Sequence, residues 1–198
     1  MSLLWRERRE LRLAPEGLEA GLSALEKSAP KERLDVTVVL SNHFARYTIV
    51  PPQEDATAQE ELALARFQFA KIHGERARGW EVRISRAGDG PRLACAIDAS
   101  LLERLKACFP KGGKARLASV QPALMAAYNA ARKRIPREGA WLLLAEPGRS
   151  CLARVAAKGW GSVHNGPETD WERQIERERN RAGGEPLPSL VLKHEFAA

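Results

Sequence analysis

The stretch AWLLLAEPGRSCLARVAAKGWGSVHN, residues 140–165, decides how the rest of the chain is read. It opens with the uninterrupted apolar run 141–145. Residues 146–150, Glu-Pro-Gly-Arg-Ser, then supply turn chemistry: Pro147 cannot donate to a β-ladder, and Gly148 tolerates positive φ. Residues 151–156 resume as a strand, Lys158-Gly159 turns the chain again, and 160–165 closes the set. The spacing predicts a three-stranded meander with two tight turns.

Beyond the meander, Asp170 is the expected cap of a highly charged helix over 171–182, with Trp171, Ile175 and Ala182 as its apolar contacts. Gly183-Gly184 ends that helix, and 189–193 is the last predicted strand. On the other side, Pro-Arg-Glu-Gly at 136–139 breaks the chain. It marks the expected boundary between a larger α/β lobe, 1–136, and a smaller one, 137–198.

The larger lobe alternates strand and helix signals. Residues 3–13 read as an edge strand or short hairpin, and Leu18, Leu22 and Leu25 place an amphipathic helix over 15–28. The β-branched run 35–40 is a buried strand. Residues 41–43 turn, and 44–50 is a strand stopped by Pro51-Pro52. Thr57 and Glu60 form a capping box for a helix that turns Leu62, Ala65, Phe69 and Ile72 inward and ends at Gly74. Strands 80–85 and 92–97 flank the hairpin signal Ala-Gly-Asp-Gly at 87–90. Asp98 or Ser100 caps a helix carrying Leu101, Leu102, Leu105 and Cys108. A strand over 115–120 leads to Gln121-Pro122, which opens a helix whose stripe of Leu124, Met125, Tyr128 and Ala131 reads as core. The order predicts an α/β fold with mixed sheets flanked by helices.

Composition narrows the function. The chain has 198 residues, 44% hydrophobic and 29% charged, which is ordinary for a globular protein. No apolar run is long enough to span a membrane, and MSLLWRERRELRL lacks the core of a secretory signal, so a cytoplasmic location is expected. Cys95, Cys108 and Cys151 have no metal spacing and read as reduced, mostly buried thiols. His43, His73, His164 and His194 are scattered, with surface or turn roles. The Pro-Lys-Gly-Gly turn at 110–113 lacks the phosphate-loop pattern. The net charge of +7 comes from basic residues interleaved with acidic ones, without an aromatic RNA-binding signature, so no stable nucleic-acid partner is expected.

The succession resembles the PilM family of type IV pilus assembly proteins and the related cytoplasmic domain of the type II secretion L protein. The matching pieces are FARYTIVPP at 44–52, the Glu-rich helix at 60–72, PRLACAI at 91–97, KARLASVQPALMAAY at 114–128, and the turn at 146–150. The resemblance implies an actin-like, RNase H-like fold of two lobes. It also implies that the turn falls where such folds present backbone amides to nucleotide phosphates, in the pattern Asp-x-Gly-x-x-Ser/Thr. The matching positions are Glu146, Gly148 and either Ser150 or Cys151, depending on register, with Arg149 between them. These make Glu146, Gly148, Arg149 and Ser150 the candidate cofactor-binding residues.

The departures from the pattern matter as much. Residues 1–30 hold no Asp-x-Gly turn, and Gly183-Gly184 precedes a strand where the family's adenosine loop follows one. Glu146 replaces Asp, and Pro147 removes a donor. ATP is the cofactor the resemblance would admit, and none is expected to bind. The expected function is a non-catalytic scaffold, a pseudo-ATPase on the cytoplasmic face of the inner membrane. Its implied partner is an inner-membrane pilus or secretion protein with a short cytoplasmic tail, with the assembly ATPase as a second partner; a homodimer is compatible. The competing readings are an actin-like or sugar-kinase-type ATPase, resting on the turn, and an RNase H-like nucleic-acid module. The latter needs clustered carboxylates, and Asp35, Asp98 and Glu146 read as capping and turn residues.

Overall fold

A computed structural model describes residues 18–27, 34–86, 90–110, 112–167, 171–181 and 187–193. In chain order the elements are α1 (Leu18–Lys27), β1 (Leu34–Leu40), β2 (Ala45–Val50), α2 (Ala58–His73), β3 (Trp80–Ile84), β4 (Arg92–Asp98), α3 (Ala99–Ala107) and β5 (Ala115–Pro122). These are followed by α4 (Ala123–Ala131), β6 (Gly139–Glu146), β7 (Arg149–Ala156), β8 (Trp160–Gly166), α5 (Trp171–Arg181) and β9 (Ser189–Lys193). The expected strand at 3–13, the hairpin tip at 87–89, the Asp170 cap, the Ala182 contact and the Gly183-Gly184 stop lie outside the described residues.

The meander is present. β6, β7 and β8 pair antiparallel, and β9 returns parallel to β6, giving the order β8-β7-β6-β9 with α5 between β8 and β9 in the chain. The central strand β6 is buried along nearly its whole length, as a strand covered on both faces should be. Its alternation sorts the two faces. Leu142 and Leu144 join Cys151, Ala153, Leu124 and Trp160 on one side. Trp141 and Leu143 join Leu152, Leu187 and Ile175 of α5 on the other.

A second sheet has the order β2-β4-β3, all antiparallel. Ala94 and Ala96 of β4 face Ala65 and Phe69 of α2. Cys95 and Ile97 face Leu101 and Leu105 of α3 and Leu22 of α1. The third sheet is the parallel pair β1 and β5. Leu93, Ala123 and Leu124 share a core cluster with Leu142, Leu144 and Trp160, so one apolar core draws on residues either side of the 136–139 break.

The capping box forms as expected: the Glu60 carboxylate accepts from the Thr57 backbone N–H at 2.8 Å, and the Glu60 N–H donates to the Thr57 hydroxyl at 3.3 Å. Asp98 caps α3 by accepting from the Ser100 N–H. Two expectations need correction. Ile72 is 65% exposed, not inward. His73 takes that place, its ring 4.9 Å from Trp80 and 6.5 Å from Phe69, because position 69+4 stays over the sheet where 69+3 has rotated off it. Pro122 ends β5, opposite Leu40, and the helix begins one residue later. Its φ of −64° with ψ of 145° is extended backbone, which serves a strand end and a helix N-cap equally.

Candidate functional site

Glu146 pairs with Arg149 across the β6–β7 ladder, so Pro147-Gly148 is a two-residue loop. Proline holds φ near about −65°, which excludes the hairpin turns that need positive φ at the first loop position. Gly148, at φ +69°, completes a type II turn. Nothing lies within 4 Å of a Cβ built there, so φ alone demands glycine. The loop offers one backbone donor, the Gly148 N–H, whereas an anion cradle converges several.

The rest of the turn is engaged by the turn between β1 and β2. Glu146 is 3% exposed, and its Oε2 accepts the backbone N–H of Asn42 at 2.9 Å. The Pro147 carbonyl lies 3.0 Å from His43 Nε2, which donates to it in the matching tautomer. Asn42 is fully buried, and its Oδ1 accepts the Tyr47 hydroxyl at 2.7 Å. From the end of β8, Asn165 Nδ2 donates to the carbonyls of Asn42 and Ala45, both at 2.9 Å. The Asn165 Oδ1 accepts from Arg149 at 3.2 Å. Arg46 donates to the carbonyls of His43 at 3.0 Å and Ala45 at 2.8 Å. Two turns about a hundred residues apart are thus locked face to face by a polar cluster.

The charges are two guanidiniums, Arg46 and Arg149, against one carboxylate, Glu146. Burial first, and then the Arg149 charge, lower the Arg46 pKa from its ordinary value. Burial raises the Tyr47 hydroxyl well above its usual range. It also pushes the Cys95 thiol up to about 12. The Cys151 thiol is raised by burial and, next, by the Glu146 carboxylate. Both thiols therefore stay protonated at neutral pH and are not nucleophiles.

The structure brings Glu146, Gly148 and Arg149 together at the turn. Ser150 and Cys151, the two register alternatives, are both buried in the β6–β7–β8 ladder behind it. The three carboxylates weighed for metal chemistry go to separate roles. Asp35 pairs with Arg116 at 2.9 and 3.0 Å, Asp98 caps α3, and Glu146 holds Asn42. Among the described residues no three His, Cys, Asp or Glu side chains are grouped to hold a metal. Asn42, Tyr47 and Asn165 were not singled out from the sequence. An asparagine in a strand–strand turn was a signal for Asn42; Asn165 offered none.

Solved structures show the same architecture. The cytoplasmic domain of EpsL, an inner membrane component of the type II secretion system of Vibrio cholerae, matches with a TM-score of 0.54 at 16% identity, over 88% of this chain and 67% of that one. A Bacteroides thetaiotaomicron protein with an actin-like ATPase fold and unknown function matches with a TM-score of 0.59 at 12% identity, over 98% of this chain and 73% of that one. The fold is actin-like. A chain of the PilM–PilN type IV pilus biogenesis complex also matches, with a TM-score of 0.53 at 17% identity, over 85% of this chain and 57% of that one. The sequence matches no protein-family model and no curated protein. Within this actin-like chain, the hairpin turn that the sequence pattern aligned with phosphate binding is the one closed by Asn42 and His43.

Proposed function

We propose that this chain is a non-catalytic cytoplasmic scaffold of a pilus or secretion assembly complex, binding the short cytoplasmic segment of an inner-membrane partner. The observation that carries the reading is the Asn42 N–H seated on the Glu146 carboxylate. A phosphate entering that turn would displace a buried, charge-assisted hydrogen bond and would meet a carboxylate of its own sign. The choice of complex is supported by the similar structures, which include an inner membrane component of a type II secretion system and a type IV pilus biogenesis complex. No described helix is long and apolar enough to cross a membrane. The chain is thus read as peripheral to the inner membrane, with lobes 1–136 and 137–198 sharing the core.

An actin-like fold without nucleotide chemistry still offers grooves and strand edges on which a short peptide can add a strand or lay a helix. Titration with synthetic N-terminal peptides of single-span inner-membrane pilus and secretion proteins tests the reading. Saturable binding that persists at about 0.3 M salt is expected, since a shaped apolar contact is not screened when the Debye length falls below about 8 Å. Binding that disappears at that salt would reduce the interaction to the chain's net +7 charge.

A further inference from the structure

The end of the β6–β7 ladder opposite the closed turn carries a different kind of surface. Residues 132–138 read Arg-Lys-Arg-Ile-Pro-Arg-Glu, and Arg132, Lys133, Arg134 and Arg137 are all exposed. The pairing of Gly139 with Ala156 brings the β7–β8 turn, with exposed Lys158, to the same end. None of these five cations forms an ion pair with a described residue. Some exposed cations elsewhere do have a carboxylate partner, as in Arg78–Glu75, Lys106–Glu103 and Arg116–Asp35.

The cluster sits on a fixed support. Arg132 N–H bonds to the Tyr128 carbonyl at 2.8 Å, Arg134 N–H to Ala131 at 2.7 Å, and Gly139 N–H to Pro136 at 3.1 Å. Ala131 is fully buried, and Ile135 packs against the core between the charges. The cations are therefore carried on a short knuckle whose backbone is hydrogen-bonded at Arg132, Arg134 and Gly139.

We propose that this knuckle is the face by which the chain lies against an anionic lipid bilayer. It deepens the scaffold reading by orienting the molecule, with the closed turn pointing away from the membrane. Four or more Lys and Arg side chains in one patch are the footprint of anionic headgroup attraction. A single-stranded nucleic acid would want aromatic platforms between the charges, and 132–138 contains none.

The test is co-sedimentation of the whole chain with phosphatidylcholine vesicles, with and without about one-third phosphatidylglycerol. The variant R132Q/K133Q/R134Q/R137Q is compared with R66Q/K71Q/R76Q/K114Q, which removes the same charge from exposed sites elsewhere. The expected result is binding to the anionic vesicles only, weakened at least about tenfold in the first variant and much less in the second. Equal weakening in both, no binding by the unmodified chain, or retention by a single-stranded oligonucleotide in preference to the vesicles would each overturn the proposal. R137Q and K133Q alone, each with a smaller expected loss, serve if the fourfold variant fails to fold. The vesicles carry no partner peptide, so a negative outcome here leaves tail capture standing, and failure of the peptide titration leaves this surface standing.

Discussion

Replacing Gly159 by Ala is expected to lower folding stability by about 2–5 kcal/mol. Gly159 sits at φ +83°, and a Cβ there would run into the Pro91 carbonyl. That carbonyl is fixed in place, because it accepts the Trp160 N–H at 2.8 Å. On the facing segment, a Cβ on Gly90 would meet the Lys158 carbonyl. Backbone therefore touches backbone where the start of β4 meets the β7–β8 turn, and no flexible side chain is present to give way. Gly148→Ala is the natural control. It has a similar φ, +69°, but open space around it, so only the left-handed backbone penalty of about 1–2 kcal/mol applies. Urea denaturation followed by tryptophan fluorescence measures both. Equal losses would mean that the close approach at Gly159 contributes nothing. A single transition is expected throughout, since one core cluster spans the 136–139 break.

The second large effect concerns the polar cluster. Glu146→Ala is expected to cost about 2–4 kcal/mol, and Glu146→Gln about 1 kcal/mol. Alanine leaves the Asn42 N–H without its acceptor in a fully buried position, and it removes the carboxylate of the residue that pairs in register with Arg149 across the β6–β7 ladder. Glutamine keeps an acceptor oxygen and loses only the charge. Amide exchange at Asn42 should accelerate in step with the lost stability, and more in the alanine variant. Two neutral substitutions would show that the carboxylate does not hold the turns together.

Much of this fold was legible because its signals are local. The meander announced itself through Pro147-Gly148 and Lys158-Gly159 between apolar runs, and the Thr57–Glu60 box marked the start of α2 to the residue. The misreading of Ile72 came from extending the Leu62, Ala65 and Phe69 stripe by three residues, whereas His73, four on from Phe69, takes the inner place with its ring edge-on to Trp80. The candidate site was half legible for a related reason. The turn could be placed from its own residues, but the turn that closes it lies 104 positions away, between Asn42 and Glu146. No periodicity encodes which of two turns will meet. Asn165 is the clearest case: its neighbours in sequence suggest only the end of a strand, and its role exists solely because β8 delivers it to the carbonyls of Asn42 and Ala45.

Calorimetric titration of the chain with Mg-ATP puts the closed turn to its most direct test. With Glu146 committed to Asn42, Pro147 lacking an N–H and its carbonyl beside His43, the turn has no cradle to offer a phosphate. No saturable heat is predicted up to roughly millimolar nucleotide, with or without magnesium. A dissociation constant in the range of about 1–10 μM would contradict it, and would return the chain to the ATPase reading of its fold.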